Sequence, residues 1–205
     1  ARFYSITDRD FDGPVPVEDE RAFQWEVYHI ENFLLEPRFV REAMSALALG
    51  TRVPTEDKIL QDLRDCASET VDALVRIRME QTVNRTLVGC LSTGHDPGQS
   101  AAVGLREAAE RSRNRIDQAL GEALHPDALR AEEGRIRSEL EGALLNEQWL
   151  RDFRGRDVLR RFIARYQDVI GVPYEKVRNL IVNRMREAGH RPVGMASVIE
   201  AIQEV

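Results

Sequence analysis

The chain has 205 residues, of which 42% are hydrophobic, enough to bury a core as one large domain or as a compact domain carrying a substantial insertion. Its 29 basic residues are outnumbered by 35 acidic ones, giving a formal charge of -6, so bulk charge does not advertise nucleic acid, although a local site stays compatible with it. No apolar run approaches the roughly 20 residues of a membrane helix, and no basic segment leads into a signal-like apolar core; no membrane partner is expected, and the cysteine usage points to a cytoplasmic chain.

Lys58 and Lys176 are the lysines, and every other basic residue is arginine, a choice that suits bidentate contacts and also follows genome composition. Cys66 and Cys90 lack the spacing of a metal motif and sit among helical residues, so reduced, buried thiols are expected.

In chain order, Arg2 to Thr7 reads as a short strand because Phe3, Tyr4 and Ile6 favour a pleated backbone and the run is too short for a helix. The first residue, Ala1, already lies in this strand-like sequence, which suggests a piece of a longer protein. Phe11 to Glu20, with Asp12-Gly13-Pro14, Pro16 and an acidic cluster, has turn chemistry. Phe23 to Ile30 reads as a second strand, and Pro37 starts a helix reaching about Leu49.

From Thr55 the pattern is helical. "TEDKILQDLRDCASETVDALVRIRMEQTVNRTL" places Ile59, Leu63, Cys66, Thr70, Leu74, Ile77 and Val83 on one face, predicting a single helix about 45 Å long at about 1.5 Å per residue. After the loop "STGHDPGQS" come two charge-rich amphipathic helices, 101–124 and 127–145, which complete a hairpin or bundle. "NEQWLRDFRGRDVLRRFIARY" then predicts a short helix broken by Gly155 and a second from Asp157 with Leu159, Phe162, Ile163 and Tyr166 inward. Helices over 173–189 and 192–205 close the chain. The expected organisation is 1–50, 51–145 and 146–205: α/β at the ends and mostly helical by content.

Chemistry gathers at Asp8 and Asp10. A strand ending at Asp8 and turning aims both carboxylates beyond its carboxyl edge, where open α/β sheets hold ligands. Two neighbouring carboxylates repel unless a cation such as Mg²⁺ lies between them. Glu31 adds a third carboxylate at the same edge, a set suited to metal-assisted phosphoryl chemistry. The same residues also fit a polar strand-to-loop turn, with Glu31 as a charge at a helix start. Arg151, Arg154, Arg156, Arg160, Arg161 and Arg165 form either a solvated face or a phosphate-backbone contact. Trp149 and Phe153 read as core anchors. His95 and His125 read as loop histidines, and His190 decorates a helix end.

"YSITDRDFDG" followed by "FQWEVYHIENFLLEP" resembles the DxD strand and the following segment of TOPRIM domains in the overcoming-lysogenization-defect ATPase-nucleases and DUF4435 proteins. "FRGRDVLRRF" looks like a segment near the end of such domains. The resemblance implies a partial TOPRIM, Rossmann-like sheet with a large helical insertion. It also implies a metal-dependent endonuclease acting on DNA or RNA, an upstream ABC-type ATPase domain and a part in antiphage defence; a two-metal Mg²⁺ or Mn²⁺ arrangement and a homo-oligomer are expected with it. On that resemblance Asp8, Asp10 and Glu31 hold metal, Asn32 completes the same motif beside Glu31, and Arg156 stabilises charge at the scissile phosphate; from the basic patch, Arg154 and Arg160 join Arg156 on nucleic acid. Three departures stand out: His29 replaces an acidic residue, Arg156 replaces a lysine, and the glutamate of the preceding strand has no counterpart. That last departure implies weak metal binding and little cleavage by these residues alone. The competing expectation is a non-catalytic helical module that dimerises or docks on an ATPase.

Overall fold

A computed structural model describes residues 5–9, 22–48, 52–94 and 96–204. Asp10, the turn-rich segment after it and His95 lie outside the described residues. The described chain is mostly helical, with one small parallel sheet near its start. Strands β1 (Ser5–Thr7) and β2 (Ala22–Gln24) pair in parallel with Ile6 opposite Phe23. The expected second strand to Ile30 stops early. After Trp25 N–H donates to the Thr7 carbonyl at 3.0 Å, the backbone bends through 26–29 and tightens into a 3₁₀ turn, Ile30–Leu34. The reason lies in Asn32, whose side chain accepts from His29 N–H at 3.0 Å and offers the backbone a local alternative to a ladder.

Helices follow in the order α1 (Pro37–Leu47), α2 (Glu56–Ser68), α3 (Val71–Cys90), α4 (Ala101–Gly121), α5 (Pro126–Leu145), α6 (Trp149–Asp152), α7 (Gly155–Arg165), α8 (Gln167–Ile170), α9 (Tyr174–Glu187) and α10 (Val193–Glu204). Pro37 occupies the first turn of α1, where its missing N–H costs nothing. Thr55 caps α2, its hydroxyl accepting from Lys58 N–H at 3.3 Å. The single long helix expected over 55–87 is two helices: the chain breaks at Glu69-Thr70, where Thr70 N–H and hydroxyl both turn back to the Ala67 carbonyl, at 2.8 and 2.7 Å. The apolar stripe continues across the break, which is why periodicity alone does not reveal it. Gly155 begins α7 instead of ending its predecessor.

Two compact units divide the chain, one of residues 1–71 and 140–205 and the other of 72–139. The first takes in α2, which the sequence groups with the helical middle. Its core is built where α1 packs on α2 and α9, and α2 packs on α7. Phe39, Met44, Ile59, Leu63, Trp149, Phe153, Leu159 and Phe162 are fully buried there. Burial of a large apolar side chain contributes about 1.5–3 kcal/mol, so these anchors dominate the unit's stability.

A charged group on α2 is buried with them. Asp62 on α2 accepts from Lys58 Nζ at 2.7 Å and from the Tyr166 hydroxyl at 2.5 Å, with Arg165 at 3.4 Å. Burial pushes its carboxyl up, but the bonds from Lys58 and Tyr166 and the charges of Lys58 and Arg165 outweigh that and hold it below the usual range. Burial also raises the Cys66 thiol to about 11 and the Tyr166 hydroxyl to about 12. Cys66 and Cys90 are free, buried thiols. In the second unit Cys90, Ala119 and Leu124 form a small apolar cluster with Val83, Leu87, Ile116 and Leu129. Ser112 fastens the end of α3 to α4 by accepting from Ser92 N–H at 2.9 Å. No described helix is long and apolar enough to cross a membrane.

Candidate functional site

Three sequence segments meet at the carboxyl end of the parallel strand pair. Asp8 follows β1 directly, and its Oδ1 accepts the N–H of Ile30, the first residue of the 3₁₀ turn, at 3.2 Å. Arg9 beside it reaches the corner after α5: its guanidinium donates to Asp152 at 3.3 Å and to the Glu26 carbonyl at 3.2 Å. The strand end is thereby tied both to the following turn and to α6.

Asn32 makes the central join. Its amide donates to the carbonyls of Leu150 and Phe153 at 2.8 and 2.7 Å, and its oxygen accepts from His29 N–H and from Gly155 N–H at 3.1 Å. Both donors are used and the oxygen takes two bonds, which is the full capacity of an amide. Asn32 is therefore a structural clamp on the α6–α7 corner, not a group left available to a ligand.

Glu31 is delivered by the same turn and is only 5% exposed. Arg156, in the first turn of α7, closes on it from the other side: Nε and Nη2 both lie 2.8 Å from Oε1. A fork concentrated on one carboxylate oxygen leaves the second, Oε2, buried without a hydrogen-bond partner. His29 Nδ1, Arg154 Nε and the Tyr174 hydroxyl are likewise buried and unpartnered. Unmet buried polar atoms cost about 1–3 kcal/mol each, so four of them around one glutamate mark this place out among the described residues.

The electrostatics are mixed. Burial, followed by the charge of Arg154, lowers the His29 imidazole, so it is neutral at neutral pH and can take up a proton at a ring nitrogen. Burial and then Glu31 raise the Tyr174 hydroxyl. Arg160 and Arg178 lie over the Tyr174 ring, 5.0 and 6.0 Å from its centre. Two carboxylates, Asp8 and Glu31, thus share their surroundings with the cations Arg154, Arg156, Arg160 and Arg178.

No family model, no curated protein and no solved structure matches the chain. The site therefore stands on its own geometry.

Of the residues expected from sequence, the structure gathers Asp8, Glu31, Arg154, Arg156 and Arg160 in one region, and Asp10 lies outside the described residues. The arginine series does not form an open basic stripe. Arg151 pairs with Asp152 at 2.9 Å, Arg154 with Asp157 at 3.2 Å, Arg161 with Glu69 at 3.5 Å and Arg165 with Glu69 at 2.6 Å. Trp149 and Phe153 are buried anchors, and His125 is an exposed group 3.5 Å from Asp127. Tyr174 and Arg178 escape the sequence reading, since a tyrosine and an arginine on an amphipathic helix carry no motif. Arg9 was legible only as the spacer between two aspartates.

A divalent cation can be weighed against these groups. The orphaned Oε2 of Glu31 is the kind of atom a cation satisfies, and Asp8 approaches the same turn. Arg156 already offsets the charge of Glu31, and among the described residues no group of three or more His, Cys, Asp or Glu gathers around one point. The described residues thus offer two carboxylates to an ion, one of them shared with an arginine.

Proposed function

We propose that this site hydrolyses nucleic-acid phosphodiesters with Mg²⁺ or Mn²⁺, as a TOPRIM-like nuclease of the overcoming-lysogenization-defect type. The observation that carries the reading is the Glu31–Arg156 pair. It joins two segments 125 residues apart, each singled out by the same resemblance, beside the strand end that bears Asp8.

In this reading Asp8, Asp10 and Glu31 hold metal, which supplies charge neutralisation at the phosphate and an activated water. The guanidinium of Arg156, half exposed, is available to a phosphate oxygen while its stem stays fixed by α7. Arg160 contacts the flanking backbone, and Arg154 joins it by exchanging its Asp157 partner for phosphate. His29, kept neutral, can accept a proton from the attacking water or pass it to solvent. An upstream ATPase domain controls the site, and the activity serves defence against phage.

The test is nicking of supercoiled plasmid by the full-length protein in Mn²⁺, compared with an Asp8→Ala, Asp10→Ala double variant. Loss of nicking in the variant supports the reading, and equal activity in both sinks it.

A second reading, helical self-association, is favoured by the second unit. Leu91 and Leu105 are 61% and 48% exposed and line a shallow apolar cavity of about 450 Å³ with Ala108 and Ile116. Sedimentation of a Leu91→Glu, Leu105→Glu variant tests it: a dimer that dissociates supports the reading, and an unchanged mass rejects it.

A further inference from the structure

Beside Glu31 opens a cavity of about 840 Å³, framed by the 3₁₀ turn, α9 and the start of α10. Its size lies within the range of small-ligand sites, about 300–1,000 Å³. The floor combines the Phe33 ring with the thioethers of Met185 and Met195. Ile30 and Val182, exposed to 43% and 46%, complete it. Exposed large side chains facing a common hollow are costly unless something flat and apolar covers them.

The rim has the opposite character. Arg178, Arg186 and Arg191 stand around the opening. Arg178 hydrogen-bonds the neutral Asn179 and lies over Tyr174, and none of the three has a carboxylate partner among the described residues. Among the described lining residues Glu31 is the one carboxylate, and Arg156 is paired with its Oε1. A ligand here needs an anionic part for the arginines and a flat apolar part for the floor. Sulfur against the edge of an aromatic ring is favourable, which distinguishes a planar base from an alkyl chain.

α9 is stopped so that this shape is kept. Gly189 adopts φ +62°, a left-handed conformation that suits glycine, and His190 N–H returns to the Met185 carbonyl at 2.9 Å. The chain then passes Pro192 into α10, which brings Met195 to the same cavity as Met185.

We infer that this cavity receives an unstacked nucleotide of a single-stranded nucleic acid, its base on Phe33, Met185 and Met195 and its phosphates on Arg178, Arg186 and Arg191. The inference takes from the proposed function only that the polymer is nucleic acid, and it adds the form of that polymer. A base inside a duplex is stacked on its neighbours and cannot reach the floor of such a pocket. A single strand delivers it without that cost, and base stacking on a protein surface contributes independently of sequence. The pocket adjoins Glu31, so the bound nucleotide lies next to the site of bond cleavage and sets which phosphate is presented.

The test measures anisotropy of a short fluorescein-labelled single strand, and of the same strand in duplex form, with the full-length protein in EDTA. The single strand is expected to bind at least about tenfold more tightly than the duplex, and Val182→Asp to weaken it by about tenfold. An Arg178→Ala, Arg186→Ala double variant should lower the slope of log affinity against log salt by about 1.4, at about 0.7 per phosphate. Equal binding of strand and duplex, or unchanged binding by both variants, overturns the inference. So does binding of an acidic amphipathic peptide, but not the strand, in a manner sensitive to Val182→Asp. Binding in EDTA reports the pocket and cleavage in Mn²⁺ reports the hydrolytic reading: strand binding without cleavage removes hydrolysis alone, and cleavage without strand preference removes the pocket alone.

Discussion

The N–H of Gly155 donates to Oδ1 of Asn32 at 3.1 Å, and a Cβ added at Gly155 would stand 2.6 Å from the Asn32 nitrogen and 2.7 Å from its Cα. The obstacle is backbone, which cannot rotate aside. Gly155→Ala should therefore destabilise the protein by about 1–3 kcal/mol, the range for overpacking a fitted interior. Urea denaturation measures it. Because α7 begins at Gly155, the same change displaces Arg156 from Glu31, and activity should fall further than the stability loss explains.

Asn32 offers a second, separable substitution. Asn32→Asp keeps the oxygen that serves His29 and Gly155 but turns the donor into a carboxylate oxygen facing the Leu150 and Phe153 carbonyls. Asn32→Ala strands all four backbone groups. Either should cost about 3 kcal/mol, since each abandoned buried group forfeits about 1–3 kcal/mol before relaxation. A stability loss under 1 kcal/mol for both would contradict the clamp.

The Glu31–Arg156 pair predicts an asymmetry between substitutions. Arg156→Ala leaves a buried carboxylate without a counter-charge and should destabilise by roughly 1–3 kcal/mol, whereas Arg156→Lys restores the charge but not the fork. If Arg156 also meets the scissile phosphate, alanine should lower the turnover rate by about 100-fold, with lysine in between. Chemical denaturation and plasmid nicking, run on the same preparations, separate the two effects.

The Asp62 cluster sets the pH limits of the first unit. The carboxyl of Asp62 is depressed in the folded protein, so its contribution is present above the unfolded carboxylate value, about 3.9, and is lost as pH falls through the folded one. Cys66 and Tyr166 are raised to about 11 and about 12. Their unfolded values are about 8.5 and about 10, so stability is complete below about pH 8.5 and declines as pH rises towards 12. Thermal melts across this range should show the decline, and Tyr166→Phe should remove its upper part. A flat profile in the wild-type protein would rule the cluster out as its source.

The sequence reading reached the helical content, most helix boundaries and the inward faces of α2 and α7, because those depend on apolar periodicity and local caps. It missed the break at Glu69-Thr70, since an apolar stripe in phase on both sides conceals a two-residue interruption. It also extended β2 too far: Trp25, Val27 and Tyr28 favour a strand, but the Asn32 side chain and the bonds of Tyr28 and Arg9 to distant backbone override that preference. Tyr28 N–H donates to the Arg151 carbonyl at 2.8 Å, and Arg9 N–H to the Val27 carbonyl at 3.3 Å. Within the site, Asp8, Glu31 and Arg156 were legible as motif residues. Asn32 was legible beside Glu31, but its clamp on the α6–α7 corner, the ring of Tyr174 and the arginines lining the cavity depend on which helices become neighbours, and no local pattern encodes that.

The distance along the chain between Glu31 and Arg156 has a further consequence for biosynthesis. A ribosome must complete 125 more residues after Glu31 before its partner exists. Until then the carboxylate, the 3₁₀ turn and the two short strands lack the corner that Asn32 will grip. Closing a flexible loop of that length costs about 4 kcal/mol of chain entropy beyond a constant, by the logarithmic rule. Residues 72–139 form a compact unit of their own within that loop, and if they fold first, the free chain left to be closed is much shorter. The Glu31–Arg156 pair can therefore close only after residues 72–139 have been synthesised, and their folding shortens the chain that has to be closed.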